Sequence, residues 1–317
     1  MPKYLSALSE ATGGTFKILG VRYGDELVGG VALYEERTRL GSFIYPRPLI
    51  YYNGIILRRY DTRYPSERTA RQLKILQAIQ SSIAQMGYAQ LILASPSSLS
   101  DMRSFLAAGW KVYPRYSYVV DIRDLDVAWN RIDQNLRRLV KRCERESMNF
   151  NDHGSFDAFL DLHASIMTRR SHGLYLPPNC FREFYRKLND ASLCDLHEAR
   201  SPSGEVIASQ LVLLGGNSVC HIAAAATAKE HQSTGVTAFL RWRSFQVLSR
   251  LGYSAVDLTD AGLNSVAHFK SQLGGDLETT LVLEAPRTAV SRTLSKVKSL
   301  FDQTKTTLRF LVRSQTQ

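Results

Sequence analysis

No run of apolar residues in this sequence reaches the roughly 18 residues that a membrane-spanning helix needs. The opening stretch MPKYLSALSEATGG also has no apolar core of the signal-peptide kind. These two absences predict a soluble, cytoplasmic chain. Cysteine is scarce: Cys143, Cys180, Cys194 and Cys220 have neither C-x-x-C spacing nor a paired framework. Neither a zinc site nor a disulfide scaffold is indicated, no metal is called for, and reduced, mostly buried thiols are expected.

What is present is a folded chain with unevenly placed charge. Its 317 residues, 44% of them hydrophobic, suffice for two domains of roughly 150 residues each. The net charge is +11. In 286–317, Arg287, Arg292, Lys296, Lys298, Lys305, Arg309 and Arg313 face Asp302 alone. In NRIDQNLRRLVKRCERESM, basic residues from Arg131 to Arg145 outnumber Asp133, Glu144 and Glu146. Two localised basic helices point to a phosphate-bearing partner such as a nucleotide, RNA or anionic lipid, or else are solvated helix faces. In the tail, Val290, Leu294, Val297, Leu300 and Phe301 recur at helical spacing. Residues 288–313 therefore read as an amphipathic basic helix that either contacts an anionic membrane or packs on the protein as a terminal helix.

Element order repeats along the chain. The first block reads as strands TFKILGVRY, LVGGVALYEE and PLIYYNGIIL, a helix from Pro65 to about Met86, a strand AQLILAS, a short helix and a strand KVYPRYSYVVDI. The second reads as strands CDLHEAR, EVIASQLVLL and SVCHIAAAAT, a helix TGVTAFLRWRSFQVLSRLG, a strand SAVDLTD, a short helix and a strand LETTLVLE. A shift of 165 residues lays MGYAQLILASPSSLSDMRSFLAAGW on LGYSAVDLTDAGLNSVAHFKSQLGG, pairing Gly87 with Gly252 and Gly109 with Gly274. The organisation expected is a first domain over 1–123, a basic helix and helical connection over 124–190, a second domain over 191–285 and a basic tail over 286–317.

The shift exposes a contrast. Lys270 falls opposite Phe105, and Asp257 falls opposite Ile92, so charge stands in the second copy where the first is apolar. Lys270 also lies inside the apolar arc marked by Leu263, Val266, Phe269 and Leu273, which should face a core. A buried charge must be paired or line a cavity. Either Asp257 and Lys270 form an ion pair, or the lysine stem snorkels to water, or Lys270 meets a ligand phosphate or carboxylate.

The tandem blocks, the basic helix WNRIDQNLRRLVKRCERES between them, YPRPLIYYNGIIL in the first, and DLTD followed by HFKSQLGG in the second together resemble the FemAB-like branch of the GNAT acyltransferase superfamily. The resemblance runs from about Tyr4 to Glu284. It implies an α/β (α+β) architecture of two tandem GNAT-like domains with mixed central sheets flanked by helices. It also implies transfer of an acyl or aminoacyl group to the amine of a cell-envelope or polysaccharide precursor. The donor would be acyl-CoA or aminoacyl-tRNA, so tRNA is an implied partner beside a nucleotide- or lipid-linked acceptor. Cytoplasmic placement, or peripheral placement at the inner face of the membrane, would follow.

Carried onto this chain, the family's "fK" element falls on Phe269 and Lys270 and its strand-end aspartate on Asp257, with Asp260 close by. The basic helix supplies Arg137, Arg138, Lys141 and Arg142 for phosphates. Tyr51, Tyr52 and Asn53 would stand on a cleft wall or fill a sheet core. GNAT enzymes that use coenzyme A hold its pyrophosphate at a helix start with Gln or Arg, two residues, Gly, one residue, then Gly or Ala. Here QSTGVT gives Gln232 and Gly235 but ends on Thr237, and the first block has no glycine at that place.

Amine attack on an activated carbonyl needs only a proton acceptor and donors for the oxyanion. Asp257, Asp260 and His221 are the acceptors on offer, and a strand histidine is more often packed than catalytic. No Ser-His-Asp or Cys-His series has a recognisable local context, which argues against a covalent acyl-enzyme. The alternative from another class is a non-catalytic GNAT-fold module that binds RNA or an anionic membrane through its basic helices.

Overall fold

The computed structural model describes residues 2–39, 41–46, 49, 51–95, 98–169, 173–215 and 218–286. The expected tail helix over 288–313 lies outside these residues. By contact the chain divides into two units. The larger comprises Met1–Phe16, Arg47–Tyr51 and Pro114–Thr280, and the smaller Lys17–Pro46, Tyr52–Tyr113 and Leu281–Gln317.

In the smaller unit, β1 (Thr15–Tyr23), β2 (Glu26–Thr38), β3 (Gly41–Ile44), β5 (Gln90–Ser95) and the end of β12 (Asp276–Glu284) lie side by side, with β4 (Ile55–Leu57) paired to β2. β2 and β3 are antiparallel, β3 and β5 parallel, and β5 and β12 antiparallel. The parallel step needs a crossover, which α2 (Pro65–Ala84) supplies. Its Ile75, Leu76, Ile79 and Ile83 recur at i, i+1, i+4 and i+8 and are buried with Leu33, Ile44 and Leu93. The short α3 (Arg103–Ala107) puts Phe105 edge-on to Trp110 in the same core.

The larger unit repeats that pattern. β6 (Lys111–Asp121), β11 (Ala255–Asp257), β10 (Val219–Thr227), β9 (Val206–Leu213), β8 (Cys194–Arg200) and β7 (Asn149–Asn151) follow one another across the sheet. β10 and β11 are parallel, joined by α8 (Val236–Arg250), whereas β10 with β9, β11 with β6, β7 with β8 and β8 with β9 are antiparallel. β9 is buried along almost its whole length because α8 and α6 (Phe156–Arg169) both contact it. α7 (Pro178–Asp190) and α1 (Pro2–Thr12) pack on each other, with Tyr4 edge-on to Phe184. All four cysteines are free thiols, three of them buried.

The units share out two strands of the chain. Residues 114–121 of β6 count with the larger unit, where β6 pairs with β11, and residues 281–284 of β12 count with the smaller, paired to β5. Each unit is thus completed by the closing strand of the opposite half of the sequence.

Three expectations fail in instructive ways. Among the described residues of PLIYYNGIIL only Ile55–Leu57 is strand, and Leu49 takes φ 75°, a turn that is incompatible with pairing there. The single basic helix is two, α4 (Leu125–Arg131) and α5 (Gln134–Arg145). Between them Ile132 is extended and buried, and the Asp133 carboxylate accepts the Asn135 N–H at 2.8 Å as a new N-cap. The apolar arc around Lys270 is a core face over only half its width. Leu263 is fully exposed and Val266 is exposed, whereas Phe269 packs against the core and Leu273, beyond the end of α9 (Ser265–Ser271), is fully buried.

Candidate functional site

β11 ends on Asp257, whose backbone pairs with His221 on β10 and Val119 on β6. The carboxylate is only 3% exposed. Its Oδ1 accepts the Ser117 hydroxyl and the Thr259 N–H, the latter at 2.7 Å, and its Oδ2 lies 3.2 Å from His221 Nδ1. Thr259 and Asp260 then take φ of 53° and 40°, left-handed values that non-glycine residues seldom hold without outside support. That support includes Asp257 below and the Thr259 hydroxyl, which donates to Ile222 O at 3.0 Å.

The strained turn presents two carbonyls to one ammonium. Lys270 Nζ donates to Thr259 O and, at 2.7 Å, to Asp260 O. It does not pair with Asp257, so the ion-pair expectation is replaced by main-chain anchoring. Burial lowers the Lys270 pKa from its ordinary 10.5 to about 8, and the nearby Arg241 guanidinium pushes the same way against Asp260 and Asp257. Tyr51 completes the group. Its phenol donates to Ala223 O at 2.6 Å beside Tyr175, Thr259 and Asp260, and burial raises its pKa well above the usual tyrosine range.

The structure therefore brings together Tyr51, Asp257, Asp260 and Lys270, together with His221. The sequence reading missed Ser117, Thr259, Tyr175 and Arg241. Thr259 carried a visible signal, lying between the two aspartates of DLTD, whereas Ser117 is 140 residues from Asp257 and nothing local marks it.

Other expected residues lie elsewhere. Asn53 belongs to the smaller unit, where it ties its loop to β5: Nδ2 donates to Ile92 O at 3.0 Å and Oδ1 accepts the Ala94 N–H at 2.8 Å. Tyr52 lies in that unit too. On α5, Arg138, Lys141 and Arg142 are exposed, and Arg142 pairs with Glu146 at 2.7 Å. Arg137 reaches Asn130 Oδ1 at 3.4 Å while its Nε is enclosed without a partner. Among the described residues, no hydrogen bond or ion pair joins these four to Lys270 or Asp257.

Gln232 is exposed and Gly235 caps α8 with φ 92°. A Cβ there would lie 2.5 Å from Leu139 Cβ on α5. Helix packing thus accounts for this glycine without any phosphate. No group of three or more metal-ligating side chains occurs among the described residues.

Residues 130–271 match the acetyltransferase (GNAT) domain family. The match spans α5, β10, α8, β11 and α9, and so holds His221, Asp257, Asp260 and Lys270. The stretch that holds the Lys270 anchor is thus similar in sequence to acetyltransferases of the GNAT type.

Solved structures show a likeness in fold over most of the chain. FemX is 11% identical, with a TM-score of 0.67 over 88% of this chain and 90% of its own. The C-terminal domain of a putative lysylphosphatidylglycerol synthetase from Agrobacterium fabrum is also 11% identical, with a TM-score of 0.58 over 94% and 92%. A tandem GNAT protein from the clavulanic acid biosynthesis pathway is 12% identical, with a TM-score of 0.52 over 90% and 88%. At such identities the likeness is one of fold. No curated protein matches the sequence. No helix among the described residues is long and apolar enough to cross a membrane.

Proposed function

We propose that the two units are tandem GNAT-like domains. The larger moves an acyl or aminoacyl group from an activated donor, acyl-CoA or aminoacyl-tRNA, to an amine of a cell-envelope or polysaccharide precursor. The observation that carries this reading is the Lys270 ammonium, fixed on the Thr259 and Asp260 carbonyls inside the acetyltransferase domain.

An ammonium has three N–H donors, and two are committed to those carbonyls. The third is left for the oxyanion that forms when the acceptor nitrogen attacks the donor carbonyl. The C–N bond forms, the tetrahedral intermediate collapses, and the donor's thiolate or ribose hydroxyl departs. The proton lost by the amine passes to the Asp260 carboxylate, which makes no hydrogen bond or ion pair among the described residues, or through it to water. Asp257 is a positioning residue, since its oxygens are engaged by Ser117, Thr259 and His221.

The exposed cations Arg138 and Lys141 on α5 suit donor or acceptor phosphates, as does Arg142 once released from Glu146. The likeness in fold to a putative lysylphosphatidylglycerol synthetase supports an envelope-associated acceptor, and a nucleotide- or lipid-linked amine has the phosphates these cations would meet. Peripheral contact of 288–313 with an anionic membrane belongs to the same proposal.

The test is transfer itself. Acetyl-CoA and aminoacyl-tRNA are each supplied with nucleotide-linked and lipid-linked amines, and mass spectrometry looks for the acylated product. Product with either donor that disappears in Lys270→Met supports the reading. Absence of product with both donors, together with no saturable stabilisation of the protein by either, overturns it.

A further inference from the structure

Arg241 lies on the buried face of α8, only 7% exposed, with no carboxylate bonded to it. Its Nη1 donates to Gln210 Oε1. Its Nε is enclosed and without a partner, and Nη2 donates to nothing among the described residues. Burial alone lowers its pKa to about 10. The guanidinium is also near enough to Lys270 to depress the lysine's affinity for a proton. The two cations thus repel one another electrostatically, and no acid among the described residues is bonded to the arginine to balance it.

A chain of neutral groups holds the guanidinium in place. Ser244 Oγ donates to Leu240 O at 2.7 Å, so it must accept from both of its other neighbours. Those are Gln210 Nε2 at 2.5 Å and His197 Nδ1 at 2.8 Å, which therefore carries the proton. Burial keeps His197 neutral by lowering its pKa to about 4. The amide of Gln210 is thereby oriented with Oε1 toward Arg241. This network fixes the guanidinium and leaves its charge uncompensated. With Nη1 occupied, the free edge is Nε with Nη2, the pair of parallel N–H groups that grips a carboxylate bidentately.

We propose that Arg241 is the receptor for a substrate carboxylate, held by Nε and Nη2 beside Lys270. Burying a guanidinium without a counter-ion is too costly to be retained for packing alone, and a bound carboxylate removes that cost. The inference deepens the acyl-transfer reading, because it gives the donor or acceptor a carboxylate close to the reacting centre. Its test involves no turnover, so either reading can fail while the other stands.

The full-length protein is melted in rising sodium acetate and, separately, in rising sodium phosphate, with ionic strength held constant by sodium chloride. A saturable rise in Tm with acetate is expected, stronger than with phosphate at equal concentration. Arg241→Met should melt at or above the wild type without acetate and lose the acetate-dependent rise. Arg241→Lys keeps the charge without the parallel edge, and should shift the acetate midpoint upward at least tenfold. If Arg241→Met does not fold, this second variant decides the matter. The proposal is overturned if the wild type shows no rise with acetate, if phosphate alone produces one, if Arg241→Met keeps it, or if the Arg241→Lys midpoint is unchanged.

Discussion

Asp257 and Thr259, two residues apart, are joined by a 2.7 Å hydrogen bond from the Thr259 N–H to the Asp257 Oδ1. That bond braces the left-handed turn whose carbonyls anchor Lys270. Asp257→Ala should therefore lower stability by about 1–3 kcal/mol, the usual cost of leaving buried donors unpaired. Turnover should fall as well, through misplacement of Lys270. Asp257→Asn keeps an acceptor for Thr259 and should retain most of the stability. Denaturant unfolding of the two variants checks this, and equal losses would show that charge rather than bracing matters.

Lys270→Met should cost on the order of 100-fold or more in kcat, the range for loss of an oxyanion donor, while leaving the protein folded. Chemical denaturation beside a product assay separates the two effects. A variant that unfolds would make Lys270 a structural residue.

The lowered pKa of Lys270 sets a pH dependence with a definite sign. Oxyanion stabilisation requires the cation, so kcat should fall as pH rises through about 8. Stability runs the other way. Between about 8 and 10.5 the folded lysine has lost its proton while the unfolded one keeps it, so the unfolded state binds more protons and stability rises with pH. The gain, on the order of 3 kcal/mol, should be absent in Lys270→Met. Unfolding free energies of both proteins across that interval check it.

Gly235→Ala should destabilise by about 2–4 kcal/mol, because it adds left-handed strain to a steric clash. The clash is with Leu139, 2.5 Å from the new Cβ. Adding Leu139→Ala should relieve the clash but leave the backbone strain and a small cavity. Thermal melts of the single and double variants measure the two parts.

Arg138 and Lys141 are exposed on α5, so replacing both with Glu should change stability by no more than about 0.5 kcal/mol. If phosphate passes this face, KM for the donor or acceptor should rise with kcat little altered, and its salt dependence should weaken. Unchanged KM would make the helix a solvated face.

Most elements were legible because hydrophobic period and punctuation agree with the fold. Gly87 and Gly109, with φ of 66° and 78°, follow helices, and Gly252 and Gly274 do the same in the second copy with 88° and 82°. The 165-residue shift lays β5 on β11, and β6 on β12. Lys270 and Asp257 stood out because they replace Phe105 and Ile92 of the other copy. Their partners were not legible, since Ser117 and Arg241 reach the site through tertiary packing. Asp133 misled because it reads as one more acid in a basic helix, whereas its carboxylate starts a new one. The arc around Lys270 was half right, with Phe269 and Leu273 against the core and Leu263 and Val266 in solvent, because periodicity shows which residues share a face and not how far anything covers it.

The sharing of β6 and β12 reaches back to the ribosome. A nascent chain that has emerged as far as Asp121 has made almost all of the smaller unit's sheet, but not residues 281–284, which pair with β5. Until those arrive, the backbone groups of β5 that they will bond stay open to water, chaperones or a neighbouring chain. The smaller unit, although mostly encoded first, is thus completed last, and its folding waits on translation of nearly all the described chain. A stalled or truncated product should accordingly be recognised as unfinished even when it already contains every residue around Lys270.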